Sequence, residues 1–228
     1  MVLRPLAAAL WVALGATGCV SLSSAQTAET LGRGRVQVGL EPGVAGRFDV
    51  GRHALTVAPA SDVSVRYGAL ERLDVGARLG QSGLEVQAKV MLTPRSSPFI
   101  ASLALQLAGQ LRVDPSLAIT GQLFNLALPL LLGLRLGPHQ LVLGPRLHLF
   151  ASLPADATEA PGRVVAAGGS VGVALRVSPA VLVLPEVAVV SPLSPTPLLE
   201  RTDTFSQLTG GVLAQVRLGF LVGAPAGP

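Results

Sequence analysis

Through most of the chain an aliphatic side chain at one position is followed by a small, polar or charged one at the next. Leu73, Val75, Ala77 and Leu79 alternate with Asp74, Gly76, Arg78 and Gly80. Leu84, Val86, Ala88, Val90 and Leu92 alternate with Glu85, Gln87 and Lys89. The same rhythm runs through Val36, Val38 and Leu40, from Val165 to Val177, and from Val212 to Phe220. A period of two belongs to an extended strand with two unlike faces. It predicts ten strands, over 31–41, 54–68, 73–80, 83–92, 99–108, 122–136, 140–150, 164–177, 180–190 and 205–221.

Charges obey the same parity. In four strands the pairs Arg35/Glu41, Asp62/Arg66, Asp74/Arg78 and Glu85/Lys89 are separated by an even number of positions, which puts both members on one face. Arg135, Arg146, Arg176, Glu186 and Arg217 also fall on the less apolar face of their strands. Two closed sheets fit this alternation: a soluble barrel with its aliphatic face inward, or a membrane barrel with that face outward. Composition separates them. The chain is 50% hydrophobic and 13% charged, with a single lysine, Lys89, and a mean hydropathy of +0.57. A water-facing wall would call for about a quarter charged residues.

Helices are not an alternative. The 26 glycines and 18 prolines oppose long ones. The longest apolar run of the body, Leu126 to Leu134, is interrupted by Pro129 and falls well short of the roughly 20 residues a membrane helix needs. A chain apolar enough for a bilayer but without a spanning helix crosses as a closed barrel, because each backbone N–H and C=O must be paired in hydrocarbon. The expected fold is therefore all-β, an antiparallel up-and-down transmembrane β-barrel of about ten strands over 31–221, with eight or twelve also open. Arg35, Glu41, Asp62, Arg66, Asp74, Arg78, Glu85, Lys89, Arg135, Arg146, Arg176, Glu186 and Arg217 are expected to face its lumen.

Connections alternate in length. Those at 69–72, 93–98, 137–139 and 178–179 are short, those at 42–53, 109–121, 151–163 and 191–204 are long, and the one at 81–82 breaks the alternation. Short periplasmic turns and longer external loops typify outer-membrane barrels, so both termini are expected in the periplasm. Ahead of the body, Met1 to Gly18 carry a basic residue, Arg4, and then an apolar stretch from Leu6 to Leu14, the layout of a secretory signal. That leaves 19–30 as a linker and 222–228 as a tail.

Ala16-Thr17-Gly18-Cys19 resembles the lipobox of bacterial lipoproteins, which implies a lipid on Cys19. Val20 in place of Asp implies sorting to the outer membrane. A free buried cysteine is the other reading, and a lone cysteine excludes an internal disulfide. The stretch Arg66-Tyr67-Gly68-Ala69-Leu70-Glu71-Arg72-Leu73-Asp74-Val75-Gly76 resembles the hairpins of bacterial outer-membrane β-barrel proteins. Leu141 to Arg146 and Gln215 to Phe220 look similar to other strands of such proteins, although eight residues follow Phe220. The resemblance implies a place and a fold without an activity. It also implies partners: outer-membrane lipid and the barrel-assembly and lipoprotein-sorting machinery.

Chemistry is sparse. A net charge of +4 is too small to point to nucleic acid. His53, His139 and His148 have no companions at metal-binding spacing, so neither metal nor cofactor is expected. His148, Ser152 and Glu159 are the nearest approach to a hydrolytic set, and a membrane hydrolase is the least favoured of three readings; the chain is expected not to be an enzyme. The proposed interior carries more basic than acidic residues. That suits a small anion-biased pore. It suits better a lumen filled by ion-paired side chains, since a barrel of eight to ten strands is barely wider than its contents. The favoured reading is a lipid-anchored outer-membrane barrel with a structural or surface-interaction role.

Overall fold

A computed structural model describes residues 21–49, 53–80, 83–113, 119–155, 161–193 and 211–223. Thirteen strands form one antiparallel sheet that closes on itself with ten staves. The first two staves are each built from two segments. β1 (Val36–Glu41) and β2 (Gly43–Asp49) are separated by Pro42, and β3 (Ala54–Pro59) and β4 (Asp62–Leu70) by residues 60–61. Then come β5 (Leu73–Gly80), β6 (Gly83–Met91), β7 (Phe99–Val113) and β8 (Ile119–Leu136). β9 (His139–Leu143) and β10 (Arg146–Pro154) make one stave broken at Gly144-Pro145, followed by β11 (Gly162–Ser178), β12 (Val181–Pro192) and β13 (Gly211–Val222). β13 returns to β1, with Leu40 opposite Phe220, and closes the cylinder.

The alternation places the aliphatic side chains on the outer surface. Val63, Val65 and Tyr67 of β4, Leu103, Leu105 and Leu107 of β7, and Val216, Leu218 and Phe220 of β13 are exposed, and Leu79 is 64% exposed. Soluble monomers rarely expose contiguous apolar patches beyond a few hundred Å². A wall like this one has lipid as its solvent. Tyr67, Phe99 and Phe220 ring the end of the cylinder that bears the tight turns, and Phe48 lies toward the opposite end. Such rings prefer the membrane interface.

Several boundaries differ from expectation, for physical reasons. The first strand begins at Val36 rather than at residue 31, because the chain before it turns into the lumen. The expected loop at 42–53 contains β2. Pro42 has no N–H to give to a ladder, but its carbonyl accepts the Leu218 amide at 2.9 Å, and pairing with β13 resumes at Gly43. β7 and β8 extend far into the expected loop at 109–121. β11 starts early enough to include Arg163, an exposed charge on the aliphatic face at its loop-side end. The beginning of the expected last strand, 205–210, lies outside the described residues, and Val222, expected in the tail, still belongs to β13.

Candidate functional site

The lumen is occupied by the chain itself. Residues 21–31, of which 21–30 were expected as linker and Leu31 as the start of the first strand, are buried throughout and follow an irregular path along the inside of the barrel. At one end Leu31 N–H donates to Asp74 at 3.0 Å and Thr30 Oγ1 donates to the Glu71 carbonyl at 2.9 Å, beside the β4–β5 turn. At the other, Leu22 packs among Leu123, Phe150, Val164 and Val190, near the long connections. The segment therefore enters from the turn side and runs toward the loop side.

Its main chain carries most of the hydrogen bonds. Leu22 and Ser23 N–H share Gln215 Oε1 at 2.8 and 3.0 Å, Ala25 N–H donates to Glu186 at 2.7 Å, and Ala28 N–H donates to Gln140 Oε1 at 2.9 Å. The carbonyls are taken by cations and one hydroxyl of the wall. Arg78 reaches those of Ser23 and Ser24 at 2.8 and 2.5 Å, and Lys89 those of Thr27 and Glu29 at 3.0 and 2.6 Å. Arg146 donates to the Leu22 carbonyl, and Ser102 Oγ to that of Ala28 at 2.5 Å. Side chains add fewer ties: Ser23 Oγ to Glu186 at 2.6 Å, Gln26 between Gln87 and Arg66, and Glu29 against Arg135 at 2.5 Å. Buried peptide groups need such partners, because leaving one unpaired costs about 1–3 kcal/mol.

The wall leaves room for this segment through glycine. A Cβ on Gly68 would lie 1.8 Å from the Gly32 carbonyl oxygen, and one on Gly133 would lie 2.8 Å from Ala28 Cβ. Gly32 and Gly34 have φ of +85° and +77°, the left-handed values that let the chain turn from lumen to wall at β1. Two apolar clusters hold the ends of the segment. Leu22 sits in the loop-side one, and Ala28 meets Met91, Ile100, Leu131 and Val142 nearer the turns.

A second set of charges pairs within the wall, and Arg78 joins it to the segment. Arg217 Nη1 lies 2.5 Å from Asp62 and 3.1 Å from Glu41, and Arg78 lies 3.1 Å from Glu41 and 3.4 Å from Glu85. Ser64 Oγ donates to Glu41 at 2.6 Å. Lys89–Asp74 at 3.3 Å and Arg146–Glu186 at 3.4 Å add two further pairs, whose members also hold the segment. Of the charges expected to face the lumen, Glu41, Asp62, Arg66, Asp74, Arg78, Glu85, Lys89, Arg146, Glu186 and Arg217 are buried inside. Arg135 and Arg176 are half-buried toward the turn-side end, and Arg35, one residue before β1, is exposed. Among the described residues, buried basic and acidic side chains of the wall thus match in number. The positive excess belongs to the rim.

His148 does not assemble a hydrolytic set. Its Nδ1 is 3.0 Å from Asn125 Oδ1 and its ring stacks on Phe150, with centroids 5.3 Å apart. Ser152 lies four residues further along the same strand, a distance of about 13 Å, and Glu159 is outside the described residues, as is Cys19. No group of three or more His, Cys, Asp or Glu side chains able to hold a metal occurs among the described residues.

No protein-family model matches the sequence, and no curated protein matches it. Solved structures of similar fold exist. The chain is similar to Neisserial surface protein A, with a TM-score of 0.43 and 13% identity over 83% of this chain and 97% of that one. It is similar to Ail, the attachment invasion locus protein of Yersinia pestis, solved with the heparin analogue sucrose octasulfate, with a TM-score of 0.40 and 10% identity over 83% and 98%. It is also similar to the outer membrane protease OmpT of Escherichia coli, with a TM-score of 0.38 and 11% identity over 87% and 100%.

Proposed function

We propose that this protein is a bacterial outer-membrane barrel closed by its own N-terminal segment, serving a structural or surface-interaction role and not the passage of solutes. The observation that carries the reading is the buried path of residues 21–31 through the lumen. The aliphatic outer wall supports a membrane location, and the longest connection, 193–210 between β12 and β13, lies at the end opposite the turns at 71–72, 137–138 and 179–180, which supports an orientation with those turns in the periplasm. Among the described residues the lumen buries five bases against five acids of the wall and Glu29 of the segment, which gives an anion pore no selective field.

Anchorage in this reading comes from the wall. A lipid on Cys19 would be attached two residues before Ser21, whose hydroxyl accepts from Arg78 at 3.0 Å within the lumen. Mass spectrometry of the mature N-terminus tests the lipid. Planar-bilayer recording of protein whose folding is verified by heat-modifiable gel mobility tests the closure. The intact chain should show no discrete conductance; regular open steps would overturn the closed barrel. Cell fractionation into the outer membrane tests the location.

A further inference from the structure

We propose that the lumen is a binding channel for a non-helical polypeptide segment recognised through its main chain, and that it accepts such a segment from another chain in place of residues 21–31. The inference rests on the closed-barrel reading and adds the chemical class of what the lumen holds.

Three observations carry it. First, the wall addresses peptide groups more than side chains. Gln215, Glu186, Gln140 and Asp74 take amide hydrogens, while Arg146, Arg78, Lys89 and Ser102 take carbonyl oxygens, in register from Leu22 to Leu31. A site that reads the backbone tolerates many sequences, as β-strand addition does at a sheet edge. What it selects is small size, since Ala25 and Ala28 lie against Gly219 and Gly133.

Second, part of the wall's polar equipment is completed by the segment. Lys89 has one carboxylate, Asp74, and fills its remaining donor positions with the Thr27 and Glu29 carbonyls. Gln140 and Ser102 spend hydrogen bonds on Ala28. Removing the segment would hand these groups to water, so a second length of polypeptide entering the lumen finds donors and acceptors already set at peptide spacing. The Arg217–Asp62–Glu41 cluster offers it none, because its partners are in the wall.

Third, the tether is placed for release. The segment joins β1 through Gly32-Arg33-Gly34, where both glycines adopt left-handed φ and Arg33 is exposed at the turn-side end. The cations of the channel, Arg78, Lys89 and Arg146, are buried. Arg33 and Arg35 are therefore the tether arginines open to a protease that cuts after arginine, with Arg72 exposed in the neighbouring turn, while the channel cations stay protected.

The test uses the full chain in detergent. Trypsin at limiting dose is expected to cut after Arg33 or Arg35, leaving a nicked barrel that still holds its segment. A fluorescent synthetic peptide of residues 21–31, added in excess, should then exchange in, read as a rise in anisotropy. A peptide that keeps Leu22 and Leu31 but has Ala or Ser at every other position should bind within about tenfold of it, because the main-chain bonds and the apolar ends are retained. The same peptide N-methylated at Ala25 and Ala28 loses two buried hydrogen bonds, one of them to a carboxylate, and should bind at least about a hundredfold more weakly. A variant with a site-specific protease sequence inserted between Arg33 and Gly34 repeats the experiment if trypsin also cuts elsewhere; its fold is checked by gel mobility before cleavage. Binding of the native-sequence peptide alone, equal binding of the N-methylated peptide, or failure of the nicked segment to exchange would each overturn the proposal. Conductance of the uncut chain would instead overturn the closed barrel, so the two failures are distinguishable.

Discussion

Two groups of buried charge lie within the same lumen, and they are built differently. In the first, Arg217 bridges Asp62 and Glu41, and Arg78 ties Glu41 to Glu85, across β13, β1, β4, β5 and β6. Its partners are wall residues, so the network closes the barrel seam with or without an occupant. In the second, Lys89, Arg146, Asp74 and Glu186 are paired across the wall but also bond to the main chain of residues 22–31. Burying a charge is costly unless it is paired and hydrogen-bonded. The first group meets that demand by cementing strands, the second by taking in a length of polypeptide. Arg78 takes part in both. Substitutions in the two groups should therefore break different things.

The largest effect is expected at the seam. Arg217→Met leaves Glu41 and Asp62 with fewer countercharges in a buried site, and losing one partner of a buried pair costs about 3–5 kcal/mol. The barrel should lose its heat-modifiable mobility or unfold at markedly lower urea in lipid vesicles. Lys89→Met is expected to cost somewhat less, about 3 kcal/mol by the same reasoning, and to act on the occupant. Leu31 N–H still donates to Asp74, while the Thr27 and Glu29 carbonyls lose their donor. The barrel should keep its mobility shift but show intermittent conductance in planar bilayers. Equal unfolding midpoints for the two variants, with neither conducting, would erase the distinction between cement and holder.

The distinction was only half legible in the sequence. Strand parity predicts which charges face inward, and ten of the thirteen lie buried there, because a period of two leaves each residue only two faces. The rim positions of Arg35, Arg135 and Arg176 depend on where each strand begins and ends, which alternation fixes poorly. The occupant was not legible at all. Apart from Leu22, Ser21 to Thr30 are small or polar residues without a period, and nothing in that composition separates a linker from a segment held by its peptide groups, since every residue has the same peptide groups. The nearest signals are the inward glycines Gly68 and Gly133, whose missing side chains make space for it. The breaks at Pro42 and Gly144-Pro145 were misjudged or missed because a carbonyl beside a proline can still accept a ladder bond, as Pro42 does from Leu218 and Pro145 from Leu130.

Those glycines give a third, smaller prediction. In Gly68→Ala the new methyl would fall 1.8 Å from the Gly32 carbonyl oxygen, so the entry turn must shift. Overpacking of this kind costs about 1–3 kcal/mol. Because Gly68 also exchanges backbone bonds with Gly34 and Arg35, displacement at the turn should propagate to the segment and leave the far seam intact. Trypsin should cut after Arg33 or Arg35 several-fold faster than in the unaltered chain, with little change in the urea midpoint. An unchanged cleavage rate would mean that the entry turn is not held by the wall.

The smallest effect is expected at the turn-side rim. Arg135 and Glu29 are 2.5 Å apart with side chains 15% and 9% exposed, so the pair is largely shielded from water. In Arg135→Gln the amide can still donate to the Glu29 carboxylate, which keeps a hydrogen bond while the countercharge is lost. Glu29 retains its main-chain tie to Lys89 when the pair is removed. Arg135→Gln should therefore lower stability by about 1–2 kcal/mol, with little dependence on salt, since a shielded pair is screened far less than an exposed one. The barrel should remain closed. Conductance from Arg135→Gln, absent from Lys89→Met, would reverse the ranking and make the rim, not the buried main-chain contacts, the place where the segment is held.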